Sequence, residues 1–217
     1  MRHNVSSNTV TVTPGRRRYT MGARAQAVAR TRQQIIDATA DQIRGSPEPL
    51  TLARIAVHAG VSRATLYRHF ASVTDLLDGV AADLLARARF GQLLAALELD
   101  DPVEALRQVT IAGTGIWAID TTLVRNLFSL ARTQPEALPV VAQLEAGRLG
   151  AMEHLATRLH RADRLRGGLA RDRAVDLLLV STAFAAWDEL LTARGRSPAA
   201  ATTALADLAI RAVVSDD

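Results

Sequence analysis

Residues 50–70 read Leu50-Thr51-Leu52-Ala53-Arg54-Ile55-Ala56-Val57-His58-Ala59-Gly60-Val61-Ser62-Arg63-Ala64-Thr65-Leu66-Tyr67-Arg68-His69-Phe70. Two short helical patterns meet at Gly60. Thr51 is placed to cap the first, over 52–59, and Ser62 to cap the second, over 63–70, because a side-chain oxygen there satisfies an orphan backbone N–H. Gly60 between them supplies the positive φ that a tight turn requires. Ile55, Ala59, Val61 and Leu66 form a shared apolar seam, and Ala56 is small where the two helices cross. This is the grammar of a helix-turn-helix. With the seam turned inward, Arg63, Ala64, Thr65, Tyr67 and Arg68 face out. Arginine and tyrosine offer donors for phosphates and base edges, and small residues let a helix approach a groove closely. Thr51 and His69, at either end of the unit, complete the candidate DNA contacts.

Working outward, Ile35, Ile36, Thr39, Ala40 and Ile43 share one face of a preceding helix that starts near Ala25 and stops at Gly45-Ser46-Pro47. Ser72 caps a fourth helix running to about Phe90, with Asp75 at the spacing of an acidic capping box. Breakers at Thr133-Gln134-Pro135, Gly167-Gly168 and Gly195-Arg196-Ser197-Pro198 divide the remainder into helices over 103–119, 122–131, 139–162, 171–194 and 198–214. No strand and no internal repeat is evident. Residues 1–24 are rich in Ser, Thr, Asn and Arg without periodicity, and read as a disordered basic arm.

The charge distribution agrees with the opening stretch. All 26 basic residues are arginine. Residues 1–71 hold 11 Arg against 3 acidic residues, whereas residues 72–217 hold 15 against 19. A basic amino-terminal third on an acidic body is the asymmetry of a chain whose one end meets a polyanion. The absence of cysteine removes disulfides and thiolate metal sites. No apolar run approaches the ~18 residues of a membrane helix, and no secretory signal core is present, so a cytoplasmic location without membrane contact is the expectation.

The string from Leu50 to Leu77 closely resembles the DNA-binding domain of the TetR (tetracycline repressor) family of bacterial transcription regulators. Ile55, Ala56, Gly60, Val61, Ser62, Thr65, Leu66, Tyr67, Phe70 and Leu76 match its pattern I-A-x-x-x-G-V-S-x-x-T-L-Y-x-x-F and the helix that follows. The resemblance is strong over residues 28–90. It is looser toward the carboxyl end, where residues 190–198 resemble the link between the family's dimerising helices. One position departs: Val73 stands where the family commonly has a phosphate-binding lysine, which the arginine arm would have to replace. The resemblance implies an all-α protein in three parts: the arm 1–24, a three-helix helix-turn-helix DNA-binding domain over 25–72, and a larger helical ligand-binding and dimerisation domain over 73–217. The implied function is a homodimeric, non-enzymatic repressor, released from a pseudo-palindromic double-stranded DNA operator by a small-molecule inducer, with no cofactor and no metal.

The carboxyl-terminal helices fit that reading on their own terms. The patterns over 171–194 and 198–214 are apolar nearly all round, so each must be covered on every side. A second chain would do this, with Leu178, Ala185, Leu205 and Leu208 as candidate interface residues. Trp117, Phe128, Phe184 and Trp187 are candidates for an apolar ligand pocket, with Asp120, Arg125, Asn126 and Arg132 nearby as polar anchors. Gly113-Thr114-Gly115-Ile116-Trp117-Ala118 fits a dinucleotide fingerprint in letters but lacks the strand such a loop follows. No nucleophile triad or paired carboxylates stand out. An α-helical enzyme with an incidental helix-turn-helix, which would turn over its ligand, remains an alternative. So does an architectural DNA binder, which would show no pseudo-palindromic preference.

Overall fold

The structure, a computed structural model, describes residues 15–45 and 49–215. Its helices are α1 (Gly15–Gly45), α2 (Leu52–His58), α3 (Arg63–His69), α4 (Val73–Arg87), α5 (Gly91–Leu97), α6 (Pro102–Ile119), α7 (Thr121–Leu130), α8 (Leu138–Arg161), α9 (Arg171–Ser181), α10 (Phe184–Thr192) and α11 (Pro198–Val213), with a 3-10 turn at Pro135–Ala137 before α8. Among the described residues the only extended pairing is a single bridge between Leu165 and Val214. The protein is all-α. No helix among the described residues is long and apolar enough to cross a membrane.

Local chemistry explains the amino-terminal elements. The predicted stripe of α1, Ile35, Ile36, Thr39, Ala40 and Ile43, is buried. Thr51 caps α2 by accepting from the Arg54 N–H, and Ser62 caps α3 by accepting from Thr65 at 3.1 Å. Between them the chain closes a Schellman turn. The Val61 N–H donates to the Ala56 carbonyl at 2.9 Å, the Gly60 N–H donates to Val57 at 3.1 Å, and Gly60 has φ +65°. That left-handed conformation costs an L-residue about 1–2 kcal/mol, which is why glycine stands there. Ser72 caps α4, while the Asp75 carboxylate accepts from the Ala71 N–H at 2.9 Å. Gly79 lets α4 close on α3 and α1, since a Cβ there would sit 3.1 Å from the Phe70 ring. The same ring carries the Arg32 guanidinium 4.8 Å above its centroid.

Three expectations are corrected. First, α1 begins at Gly15, so residues 15–24 of the expected arm are helical; residues 1–14 lie outside the described residues. Second, the helix after Ser72 ends at Arg87, and α5 follows after Arg89 at φ +52°. No breaker marks α5. It is held by packing of Leu93, Ala96 and Leu97 on the α6 core. Third, the helix expected over 171–194 is two helices, α9 and α10. Ser181 and Thr182 turn their hydroxyls back onto the Leu177 and Leu178 carbonyls, and the Arg148 guanidinium takes the Leu179 carbonyl at 2.8 Å. The Thr182 N–H still donates to Leu178, but at the Leu179 carbonyl the guanidinium stands where the Ala183 N–H would, and that N–H turns to Val180 as α9 stops.

Residues on both sides of the expected division at 72/73 share packing. One apolar core unites α1 to α4 with Leu123, Leu127 and Leu130 of α7, Ala137, and Val140 of α8. A second core joins α5, α6, α8, α9 and α11, and a smaller third gathers Leu84, Val124, Phe184, Trp187, Ala201 and Leu205.

Candidate nucleic-acid interface and ligand cavity

Seven residues are expected from the sequence at a DNA surface. Thr51, Arg63, Ala64, Tyr67 and Arg68 are exposed, while Thr65 and His69 are half-buried. The seam behind them is closed: Ile55, Ala56, Ala59 and Leu66 are buried. Tyr67 is 58% exposed although it is one of the chain's few aromatics. The Thr65 hydroxyl lies 2.9 Å from Ser62 Oγ and accepts from Arg68 Nη2 at 3.3 Å, so Arg68 lies along the helix face. Thr51 Oγ1 accepts from a backbone N–H and keeps its own proton to donate. The departure at Val73 is now physical. Its side chain packs on the first core and offers no contact to a phosphate.

Three side chains of α7 and the segment after it tie this unit to the body. Asp120 caps α7 and receives Arg44 Nε at 2.7 Å; the Arg44 pKa is raised, first by that hydrogen bond, with burial opposing it. Asn126 donates to the Ile43 and Arg44 carbonyls at 2.7 and 3.3 Å, covering the open end of α1. Buried Gln134 accepts from the Leu50 N–H at 2.8 Å and donates to the Leu50 carbonyl at 3.1 Å. Asp120 and Asn126 therefore serve the head and not a ligand. Arg125 pairs with Asp188 through Nη2 at 2.6 Å, which raises its pKa, and it is likewise not a pocket anchor. Arg132 is exposed and is not on the cavity wall described next.

Between α4, α6, α7 and α8 lies a cavity of about 340 Å³. Trp117 and Phe128 line it, with Leu84, Phe90, Val109 and Met152. Phe184 and Trp187 do not. Trp187 is fully buried, with its Nε1 donating to Thr202 at 3.3 Å, and Phe184 sits behind the wall. Phe184 stacks on Phe128 at 5.1 Å and meets Trp117 edge-on at 5.5 Å, bracing both rings that face the cavity. The polar wall was missed from sequence: Thr110, Thr114 and Thr182, with Gln143, Glu145 and Arg148 of α8. Glu145 and Arg148 form an i,i+3 ion pair, a spacing that in sequence looks like an ordinary solvated helix face. The glycine pattern at 113–118 lies inside α6, with Gly113 on the cavity wall, and has no preceding strand. Among the described residues no cluster of His, Cys, Asp or Glu is arranged to hold a metal ion.

The four candidate interface residues divide. Leu178 belongs to the second core at 0% exposure and Leu205 to the third at 3%. Both are used up inside the protomer, so they cannot face a second chain. Ala185 of α10 is exposed, and Leu208 of α11 is 51% exposed, on the same face of α11 as exposed Ala204. Helical periodicity grouped Leu205 with Leu208, since three residues leave them only about 60° apart, and the edge of the buried face falls between them.

Comparison with known proteins bears on the fold and its amino-terminal part. Residues 35–80 match the model of bacterial regulatory proteins of the tetR family. No curated protein matches the chain in sequence. Among solved structures, NalD, the secondary repressor of the MexAB-OprM multidrug efflux pump in Pseudomonas aeruginosa, superposes with TM-score 0.69 at 23% identity, over 88% of this chain and 100% of that one. SmeT, the repressor of the Stenotrophomonas maltophilia multidrug efflux pump SmeDEF, gives 0.67 at 20%, over 85% and 91%. FadR from Bacillus subtilis, in complex with stearoyl-CoA, gives 0.66 at 18%, over 82% and 97%. Residues 35–80 thus match the model of the tetR family of bacterial regulatory proteins, and the all-α fold of the whole chain is similar to that of these solved structures.

Proposed function

We infer that the protein is a sequence-specific, DNA-binding transcriptional repressor that acts as a homodimer and is released by a small molecule. The observation that carries this reading is the outer face of α3, where Arg63, Tyr67 and Arg68 stand exposed on a helix whose opposite side is sealed against α2 and α1. A helix presented this way enters a major groove, with arginine reading guanine edges and the remaining donors holding phosphates. SmeT and NalD, which share the fold, are repressors, and that supports repression over activation here.

One such helix covers only a few base pairs, so useful specificity needs two copies about 34–36 Å apart or a multiple of that spacing. The exposed face of α10 and α11 around Ala185, Ala204 and Leu208 is the surface we assign to the partner, its small residues allowing close helix approach. The cavity is the inducer site. At about 340 Å³ it falls in the range of small-molecule sites, about 300–1,000 Å³. A ligand that favours the non-binding spacing of the two heads lowers DNA affinity by its differential affinity for the two states.

Selection of DNA by the purified protein from a random pool tests the reading. The expected product is a pseudo-palindrome with half-sites one helical turn, or a multiple, apart. Enrichment of a single half-site, or of none, overturns the dimeric sequence-specific reading.

A further inference from the structure

The cavity has two walls of different chemistry, and their hydrogen-bond states define what fits. On the aromatic side, Trp117 and Phe128 are fixed by Phe184 behind them, an arrangement that receives a flat ring. On the polar side, every threonine hydroxyl proton is already committed to a backbone carbonyl. Thr110 donates to Leu106 at 2.9 Å, Thr114 donates to Thr110 at 3.0 Å, and Thr182 donates to Leu178 at 2.6 Å. A hydroxyl whose proton is spent offers only lone pairs. Thr110 and Thr114 are buried at 3% and 1%, and Thr114 also accepts from Thr202 at 2.9 Å, which holds it in this orientation. The threonine wall is therefore an acceptor surface.

The charge of the site is equally constrained. Among the described residues the ionisable groups on the cavity wall are Glu145 and Arg148. They neutralise each other, with Arg148 Nε donating to Glu145 Oε2 at 3.1 Å and Nη2 on the same oxygen. Arg148 Nη1 is occupied by the Leu179 carbonyl at 2.8 Å and Thr182 at 3.4 Å. An anionic ligand meets a guanidinium already paired, and a cationic one meets a carboxylate already paired. Either would bring an uncompensated charge into an apolar site.

We propose that the inducer of this protein is an uncharged, planar aromatic molecule carrying an O–H or N–H donor, its ring against Trp117 and Phe128 and its donor on the Thr110–Thr114 wall. This rests on the inducer-site reading of the cavity. It separates the chain from the solved FadR that holds stearoyl-CoA, a polyanion, despite the shared fold.

Calorimetric titration of the full chain with three probes of one shape tests it: 2-naphthol, 2-methoxynaphthalene and 2-naphthoate. Naphthol is expected to bind roughly three- to ten-fold more tightly than the ether, which has no donor. Naphthoate is expected to bind weaker than naphthol by about a hundred-fold or more. Thr110→Val, close in shape but without the acceptor, should bring naphthol to the level of the ether. Glu145→Gln should strengthen naphthoate, because it frees Arg148 from its partner. If the ether or naphthoate matches naphthol on the wild-type chain, or if neither variant shifts its probe, the ligand class is overturned while the cavity remains a binding site. If no probe binds, the inducer-site reading falls with it.

Discussion

Arg68 shows how much a single residue inherits from its neighbours. Its guanidinium is steered by the Thr65 hydroxyl, which Ser62 positions while capping the same helix. One short stretch of sequence thus supplies the cap, the bracket and the reader. Arg68→Ala is expected to weaken operator binding by about 1–3 kcal/mol at fixed salt and to relax preference at one base pair, the signature of a lost bidentate base contact. Thr65→Val should act in the same direction but less, since it leaves the charge and removes its alignment. A filter or mobility assay at matched salt reads both. Equal binding by Arg68→Ala and wild type would mean that α3 is not the reading helix. At this scale the outward face was legible because helical periodicity separates the sides of so short an element. Which aromatics face the cavity was not. Trp117 and Trp187 have the same chemistry in sequence, and only packing places one on the wall and the other behind it.

Among the elements, α7 has two duties. Its inner face gives Val124, Leu127 and Phe128 to the cavity, while its cap Asp120, mid-helix Asn126 and Gln134 beyond its end hold the end of α1 and the approach to α2. Gln134 is the most exposed to test because both of its bonds go to one buried backbone unit. Gln134→Ala leaves the Leu50 N–H and carbonyl without partners, and each such loss costs about 1–3 kcal/mol. The expected result is a lower midpoint of thermal or urea unfolding. Gln134→Glu should recover part of the loss, since it keeps an acceptor for the N–H but removes the donor. An unchanged midpoint for the alanine variant would show that water replaces both bonds. The glutamine itself was hidden in a breaker, Thr133-Gln134-Pro135, where the sequence suggests only a loop. The break between α9 and α10 was hidden for a related reason. It depends on Arg148, some thirty residues away, which pairs with Glu145 on its own helix and also reaches across to the Leu179 carbonyl.

For the molecule as a whole, the two leucines of α11 give a sharp contrast. Leu208→Arg places charge on the exposed face assigned to the partner, and should yield a folded monomer with weakened operator binding. Leu205→Arg buries an unpaired charge in the third core and should unfold the protomer, an effect of about 3–5 kcal/mol. Sedimentation with circular dichroism distinguishes them. A folded dimer for Leu208→Arg would remove this face from the interface. All-α architecture, the capped two-helix head and most helix limits were legible, since each follows from local periodicity and turn chemistry. The split of dimer-facing from core-facing residues was not, because both are apolar and only three positions apart.

The uninterrupted core beneath the head has a thermodynamic side. Ile43, Leu66 and Phe70 share one apolar cluster with Leu127 and Leu130, so the head has no private core to survive on once α7 departs. Melting of the reading unit and collapse of the cavity floor then belong to one cooperative event, with a single heat-absorption peak. If the cavity is the inducer site proposed above, a molecule that occupies it is expected to raise the melting temperature of α2 and α3 while lowering their hold on DNA. On that reading heat resistance and operator release are expected to rise together.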